Sequence, residues 1–225
     1  MAICRECNGL CIKAGHQKDG TQRFYCKRCK RYQQFSYKSF AYDRNCDQKI
    51  IGLLIEGIAL RGIARVLQIT LKAVIYKIKR IAKRLNRPYS FVKNRIFEID
   101  ELWTYVGKKE NEVWLTYSIE RTSKQVIDFQ VGSRTKENLQ KVTENVLSTE
   151  PGKVCTDGLN TYRSLIPKAI HKVGLLNTRR IERFNLNLRT HLKRLSRKTI
   201  CFSKSKEMLE ACLKIYFWER SSVAI

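Results

Sequence analysis

The sequence predicts an α+β protein of several domains: a small N-terminal unit stapled by metal, a short helical unit, and a C-terminal α/β domain. Three observations carry this reading. Two CxxC pairs lie within the first 29 residues. Apolar residues recur at helical spacing from Asp47 to Leu85. Strand-like alternation begins after Val92 and gives way to helical segments towards the C-terminus. The corresponding boundaries are 1–42, 43–88 and 89–225.

Cys4-Arg5-Glu6-Cys7 and Cys26-Lys27-Arg28-Cys29 are separated by 18 residues, within the range of a four-thiolate zinc ribbon. Two close pairs suit the ion because each knuckle presents two sulfurs to one side of a tetrahedron. Gly9 suits the turn after the first pair, and Gly15 and Gly20 suit the hairpin between them. Cys11 and His16 are rival ligands but belong to no pair. Zn²⁺ is therefore expected on Cys4, Cys7, Cys26 and Cys29, and in so small a unit it supplies much of the folding free energy. The basic and aromatic rim, Arg23, Phe24, Tyr25, Lys27, Arg28, Lys30, Arg31 and Tyr32, is suited to nucleic acid, although structural ribbons often touch none.

Asp47–Glu56 reads as a helix with Ile50, Ile51, Leu54 and Ile55 on its apolar side, and Arg61–Leu67 as a second, shorter one. Gln68-Ile69-Thr70 is the turn, with Thr70 as N-cap of a third helix and Ile69 and Val74 at staple positions. On that helix Leu71, Val74, Ile75, Ile78 and Leu85 face inward, leaving Lys72, Tyr76, Lys77, Lys79 and Arg80 outward. This is the layout of a helix-turn-helix whose last helix lies in the major groove, with Lys72, Tyr76, Lys77 and Arg80 as candidate DNA contacts. An ordinary three-helix unit with solvated lysines is the competing reading. Pro88, within Asn86–Ser90, ends the pattern.

Arg95–Val106 alternates as a strand, with Glu98, Asp100 and Leu102 on one parity and Phe97, Ile99, Glu101 and Trp103 on the other. Strands at Glu112–Ile119 and Gln125–Val131, a helix over Thr135–Leu147 and a short strand, Lys153–Asp157, come next. A short helix near Tyr162, a strand at Ala169–Val173, and helices over Arg179–Leu195 and Ser203–Glu219 complete the domain. Asp100 lies mid-strand among apolar neighbours, a costly place for a carboxylate without a cation or partner. Asp157 ends a buried-looking strand before Gly158. Between Asp157 and Glu207 the only acid is Glu182, among 13 lysines and arginines. On its helix Ile181, Leu188, Leu192 and Leu195 form an apolar stripe, and Glu182, Arg189 and Lys193 follow one step round. A carboxylate on a basic face repels phosphate unless a cation stands between them, so the three acids point to metal-dependent chemistry on nucleic acid. Taken singly, each is better read as a turn residue or an Arg partner.

Net charge agrees. At +25 the chain favours a polyanion, most simply DNA or RNA, and the longest apolar stretch, Ile50–Leu60, is too short and too interrupted to span a membrane. Met1-Ala2-Ile3-Cys4 has no signal-peptide core, so a cytoplasmic protein is expected, and nine cysteines in that compartment argue for metal rather than disulfides.

The C-terminal element order resembles the RNase H-like fold with its mixed sheet. Asp100-Glu101-Leu102-Trp103-Thr104-Tyr105-Val106-Gly107, Thr156-Asp157-Gly158, Arg180–Arg189, Arg197-Lys198 and Phe202–Ser205 resemble the DDE transposases of the insertion sequence 1 family. That resemblance implies a catalytic triad of Asp100, Asp157 and Glu182 holding two Mg²⁺ or Mn²⁺ ions. It places Arg189 at DNA phosphate; Lys193, on the same basic face, is a further candidate DNA contact. It also implies binding of an element's terminal inverted repeats, cleavage and strand transfer on double-stranded DNA, a dimer or higher multimer, and a place at the nucleoid. Phe184 departs from the family, which commonly has His there, as does Leu159, where an aromatic residue is usual. A DNA-binding transcriptional regulator without catalysis and an RNase H-like nuclease are the rival functions.

Overall fold

Residues 2–35, 40–43, 45–87, 93–174 and 177–219 are described by a computed structural model. They fall into two units, Met1–Arg44 and Asn45–Ile225.

The first unit is an antiparallel sheet of β1 (Ala2–Ile3), β2 (Leu10–His16), β3 (Gln22–Cys26) and β4 (Arg31–Gln33), in that order. Among its described residues in 2–35 the buried ones are Cys4 and Cys26. Ile3, Leu10, Ile12 and Tyr32 stand exposed, so apolar burial does little to hold this sheet. Each CxxC knuckle is followed by a residue with positive φ, Asn8 at 56° and Lys30 at 53°, which turns the chain back towards its strand. The first knuckle is closed by Cys4 N donating to Gly9 O at 2.7 Å.

The second unit begins with α1 (Cys46–Ile55), α2 (Leu60–Val66) and α3 (Leu71–Arg84). Thr70 caps α3 as expected: its Oγ1 accepts from Ala73 N at 3.1 Å. Ile69 and Val74 join the core of this helical group. One expectation fails. Lys77, read as outward-facing, is only 8% exposed because it follows Val74 by three residues and precedes Ile78 and Ile81 on the inner side of α3. Its charge is met by Asp47 of α1, with Nζ to Oδ1 at 2.7 Å. The boundary expected at Pro88–Ser90 lies outside the described residues.

A five-stranded mixed sheet follows, built from β5 (Ile96–Val106), β6 (Lys108–Glu120), β7 (Val126–Gly132), β8 (Lys153–Thr156) and β9 (His171–Val173) in the order β7-β6-β5-β8-β9. β5, β6 and β7 are antiparallel, whereas β8 joins β5 and β9 joins β8 in parallel. Each parallel addition needs a crossover, and α4 (Lys136–Leu147) and α5 (Thr161–Leu165) supply them. They cover one face, where Phe97, Ile99, Val142 and Tyr162 are buried. The other face carries α6 (Arg179–His191) and α7 (Lys206–Trp218), with Leu102, Leu115, Tyr117, Ile181, Leu188 and Leu213 between.

The last two helices differ from expectation in detail. The periodicity reads through to Leu195, but α6 stops at His191 and a 3₁₀ turn takes over at Lys193–Leu195. Two bonds fold that end back: Arg189 Nη1 donates to Leu195 O at 2.6 Å, and Ser196 Oγ donates to Arg189 O at 3.0 Å. The apolar stripe survives the break, and Ile181, Leu188, Leu192 and Leu195 are all buried. α7, capped by Ser205, faces two ways. Leu209, Leu213, Tyr216 and Phe217 pack on the sheet, while Met208, Ala211, Cys212 and Ile215 pack on α1–α3. Gly57, just past α1, has φ +79° and sits so close to the end of α6 that a Cβ would lie 2.5 Å from His191 O.

Candidate functional site

The first candidate centre is the sulfur cluster. Sγ atoms of Cys4, Cys7, Cys26 and Cys29 all lie within 4.8 Å of one another, with Cys4–Cys29 and Cys7–Cys26 each at 3.5 Å. Backbone N–H groups, that of Cys29 foremost, pull the Cys26 thiol down to about 6, so a thiolate is available near neutral pH. Four sulfurs without competing oxygens match the chemistry of Zn²⁺. Cys11 is bonded elsewhere, accepting from Gln33 Nε2 at 2.8 Å.

The second centre lies where β5 and β8 run side by side. Their register pairs Ile96 with Lys153 and Glu98 with Cys155, and two residues further on it brings Asp100 alongside Asp157. Carboxylate oxygens of Asp100, Glu101 and Asp157 lie within 4.8 Å of one another. Burial pushes Asp100 up to about 6, against the pull of hydrogen bonds from Glu101 N (2.8 Å) and Asn185 Nδ2 (2.6 Å), and the charges of Glu101 and Asp157 add to the rise. Carboxylate oxygens gathered this closely are hard donors of the kind a divalent cation takes, so those present fit Mg²⁺ or Mn²⁺.

Glu182 stands apart from this cluster. It lies exposed in the first turn of α6, its Oε1 accepting from Thr178 Oγ1 at 3.0 Å. Three residues later, on the same side of the helix, Asn185 bridges Asp100 and the hydroxyl of Tyr117. The start of α6 is pinned by buried Glu98, whose Oε2 accepts from Ile181 N at 2.9 Å and whose Oε1 meets Arg121 Nε at 2.7 Å.

Sequence reasoning passed over Glu98, Glu101 and Asn185 as functional partners. Glu101 is buried against α4 and α5, where Oε1 accepts from the Tyr162 hydroxyl and Oε2 from Arg134 Nε (3.1 Å) and Nη2 (2.7 Å). The signal was present: β5 is apolar on both faces, so every carboxylate along it needed a partner, not Asp100 alone. Asn185 was findable as the residue one turn beyond Glu182.

Of the expected DNA contacts, Lys72 and Tyr76 are exposed, Tyr76 at 65%. Lys77 and Arg80 both bond Asp47, Arg80 Nη2 reaching Oδ2 at 2.6 Å. Arg189 is half-buried and donates to the carbonyls of Leu195 and Trp103. Lys193 is exposed on the 3₁₀ turn. No helix among the described residues is long and apolar enough to cross a membrane.

The mixed sheet thus gathers three carboxylates at the junction of its antiparallel and parallel halves, in a chain of net charge +25. Comparison gives the family. The model described as IS1 transposase matches residues 95–221, and the chain belongs to that family. It is 40% identical over 115 residues to the insertion element iso-IS1n protein InsB of Shigella dysenteriae, covering 51% of this chain and 88% of that protein. It is 39% identical over 119 residues to the insertion element IS1 protein InsB of Shigella flexneri, covering 53% and 91%. The IS1 4 protein InsB of Escherichia coli K12 is 39% identical over 119 residues, 53% of this chain and 71% of that one. Among solved structures, a simian T-cell lymphotropic virus intasome in complex with PP2A regulatory subunit B56 gamma aligns over 73% of this chain and 66% of that one. Its TM-score is 0.40 at 14% identity.

Proposed function

We propose that this IS1-family chain is a DDE-type transposase that cuts DNA at the ends of an insertion element and joins them to target DNA. The supporting observation is the meeting of Asp100 and Asp157 across adjacent parallel strands, with oxygens within 4.8 Å. In this reading 1–42 is a zinc ribbon, 43–88 a helix-turn-helix, and 89–225 an RNase H-like catalytic domain. Asp100, Asp157 and Glu182 would hold the catalytic cations, Glu182 on giving up its bond from Thr178. Mg²⁺ or Mn²⁺ bound there would acidify attacking water and neutralise charge gathering on the phosphate.

The chain's own residues carry the rest. Lys72 and Tyr76 of α3 meet the terminal repeat, while Lys77 and Arg80 fix that helix to α1 through Asp47. Lys193 meets the DNA backbone, and Arg189 keeps the end of α6 closed against β5 near the reacting strand. Water attacks phosphorus at the element's end, the P–O3′ bond breaks, and the leaving oxygen takes a proton to become a 3′-hydroxyl. That hydroxyl attacks a target phosphodiester, whose own P–O3′ bond breaks in turn. Holding two ends together requires at least two subunits.

The test is a strand-transfer assay with labelled terminal DNA and Mg²⁺ or Mn²⁺. Asp157→Asn and Glu182→Gln are each expected to lower joining on the order of a thousandfold, with binding retained. Wild type that binds the terminus but neither cuts nor joins would instead leave a DNA-binding regulator.

A further inference from the structure

Among the described residues Arg134 is the guanidinium that meets the acid cluster, and its surroundings are unusual. It leaves β7 just ahead of α4 and lies over the Trp114 ring at 4.7 Å. Its Nε and Nη2 both reach a single oxygen of Glu101, while Nη2 comes within 4.0 Å of Asp157 Oδ2. Nη1 has no partner among the described residues. Its side chain remains 35% exposed, whereas that of Glu101 is 1% exposed.

Glu101 looks like a third metal ligand by distance, but its chemistry says otherwise. Its two oxygens already accept from three donors, Tyr162 Oη and two nitrogens of Arg134. The Arg134 guanidinium bonds it directly, whereas Asp100 and Asp157 have no charged donor within hydrogen-bond distance among the described residues. An arginine held by its Nε–Nη2 side to one carboxylate oxygen, and backed by an aromatic ring, still presents unused donors to solvent. A phosphate brought beside Asp157 by a cation between them would meet those donors.

We infer that Arg134 is a catalytic residue that donates through Nη1 to a non-bridging oxygen of the scissile phosphate, with Glu101 as its anchor rather than a metal ligand. This rests on the transposase reading above. The guanidinium is pre-set, so its charge-assisted hydrogen bond is available without reorganisation as charge develops on the phosphate.

The experiment uses the full chain and terminal DNA carrying oxygen, Rp-sulfur or Sp-sulfur at the scissile phosphate, with Mn²⁺ because it tolerates sulfur ligands. Arg134→Lys keeps the charge, and with it the partner of Glu101, but loses the fork. It is expected to cut all-oxygen DNA about tenfold more slowly and to match wild type on one of the two sulfur diastereomers, where the accepting atom is already lost. An equal penalty on all three DNAs overturns the contact and leaves a structural arginine. Mn²⁺ titration without DNA, followed by electron paramagnetic resonance, tests the anchor. Glu101→Gln is expected to bind like wild type while Asp157→Asn binds at least about tenfold more weakly. Equal weakening in both makes Glu101 a ligand and overturns its assignment as an anchor. Wild type that cuts none of the DNAs overturns both this inference and the transposase reading.

Discussion

The four-stranded sheet of residues 2–35 and the five-stranded sheet of residues 96–173 are held by different forces. In the first, the buried residues are two cysteines, and large apolar side chains such as Leu10 and Ile12 point into solvent. In the second, both faces are covered and Phe97, Ile99, Leu115, Tyr117 and Ile119 are each at 0% exposure. One sheet has four cysteine sulfurs in place of a core; the other is packed between its helices. The difference teaches that a single denaturation curve would mix two unrelated stabilities.

Removing the ion should separate them most sharply. With a strong chelator, or in Cys26→Ser, the amides of β2 and β3 are expected to lose hydrogen-exchange protection entirely, while those of β5 and β6 keep theirs. Loss of protection in both sheets would show that the ribbon supports the larger unit. The converse change is smaller. Leu209→Ala removes a fully buried side chain from between α7 and the sheet, and urea unfolding should register a loss of about 2–5 kcal/mol. Zinc content, read by absorption spectroscopy, should not change.

The smallest expected effect is electrostatic and belongs to α1–α3. Burial raises the Asp47 carboxyl, but the hydrogen bonds and charges of Lys77 and Arg80 outweigh it and hold the group below its usual 3.8. A carboxyl lowered in the folded state stabilises it above the unfolded pKa, and that contribution is lost as pH falls through 3.8 towards the folded value. The stability difference between wild type and Asp47→Asn should therefore shrink as pH falls below about 4. A difference that stays constant from pH 6 to pH 3 would count against the Asp47 pairing.

The forces also decide what the sequence could reveal. Paired cysteines are a local pattern, and the four sulfurs are found together. Alternation and helical spacing register burial, so the elements from Ile96 to Trp218 appear in the expected order, with ends displaced by a few residues. Where two side chains meet across the fold, the pattern is silent. Lys77 reads as a DNA contact because its partner, Asp47, lies 30 residues away on another helix. Glu101 is placed on the opposite parity with no role because its partners, Arg134 and Tyr162, come to it from the turn after β7 and from α5. The end of α6 moves for the same reason: Arg189 turns back to Leu195 through a side-chain bond that periodicity does not encode.

The two-faced packing of α7 has a mechanical consequence. One rigid helix, 13 residues long, is gripped by the sheet on one flank and by α1–α3 on the other. It acts as a fixed arm between α3 and the strands bearing Asp100 and Asp157. A duplex seized by α3 would be presented to those acids at one reach, so the arm, and not a search along the strand, would choose which phosphate is offered.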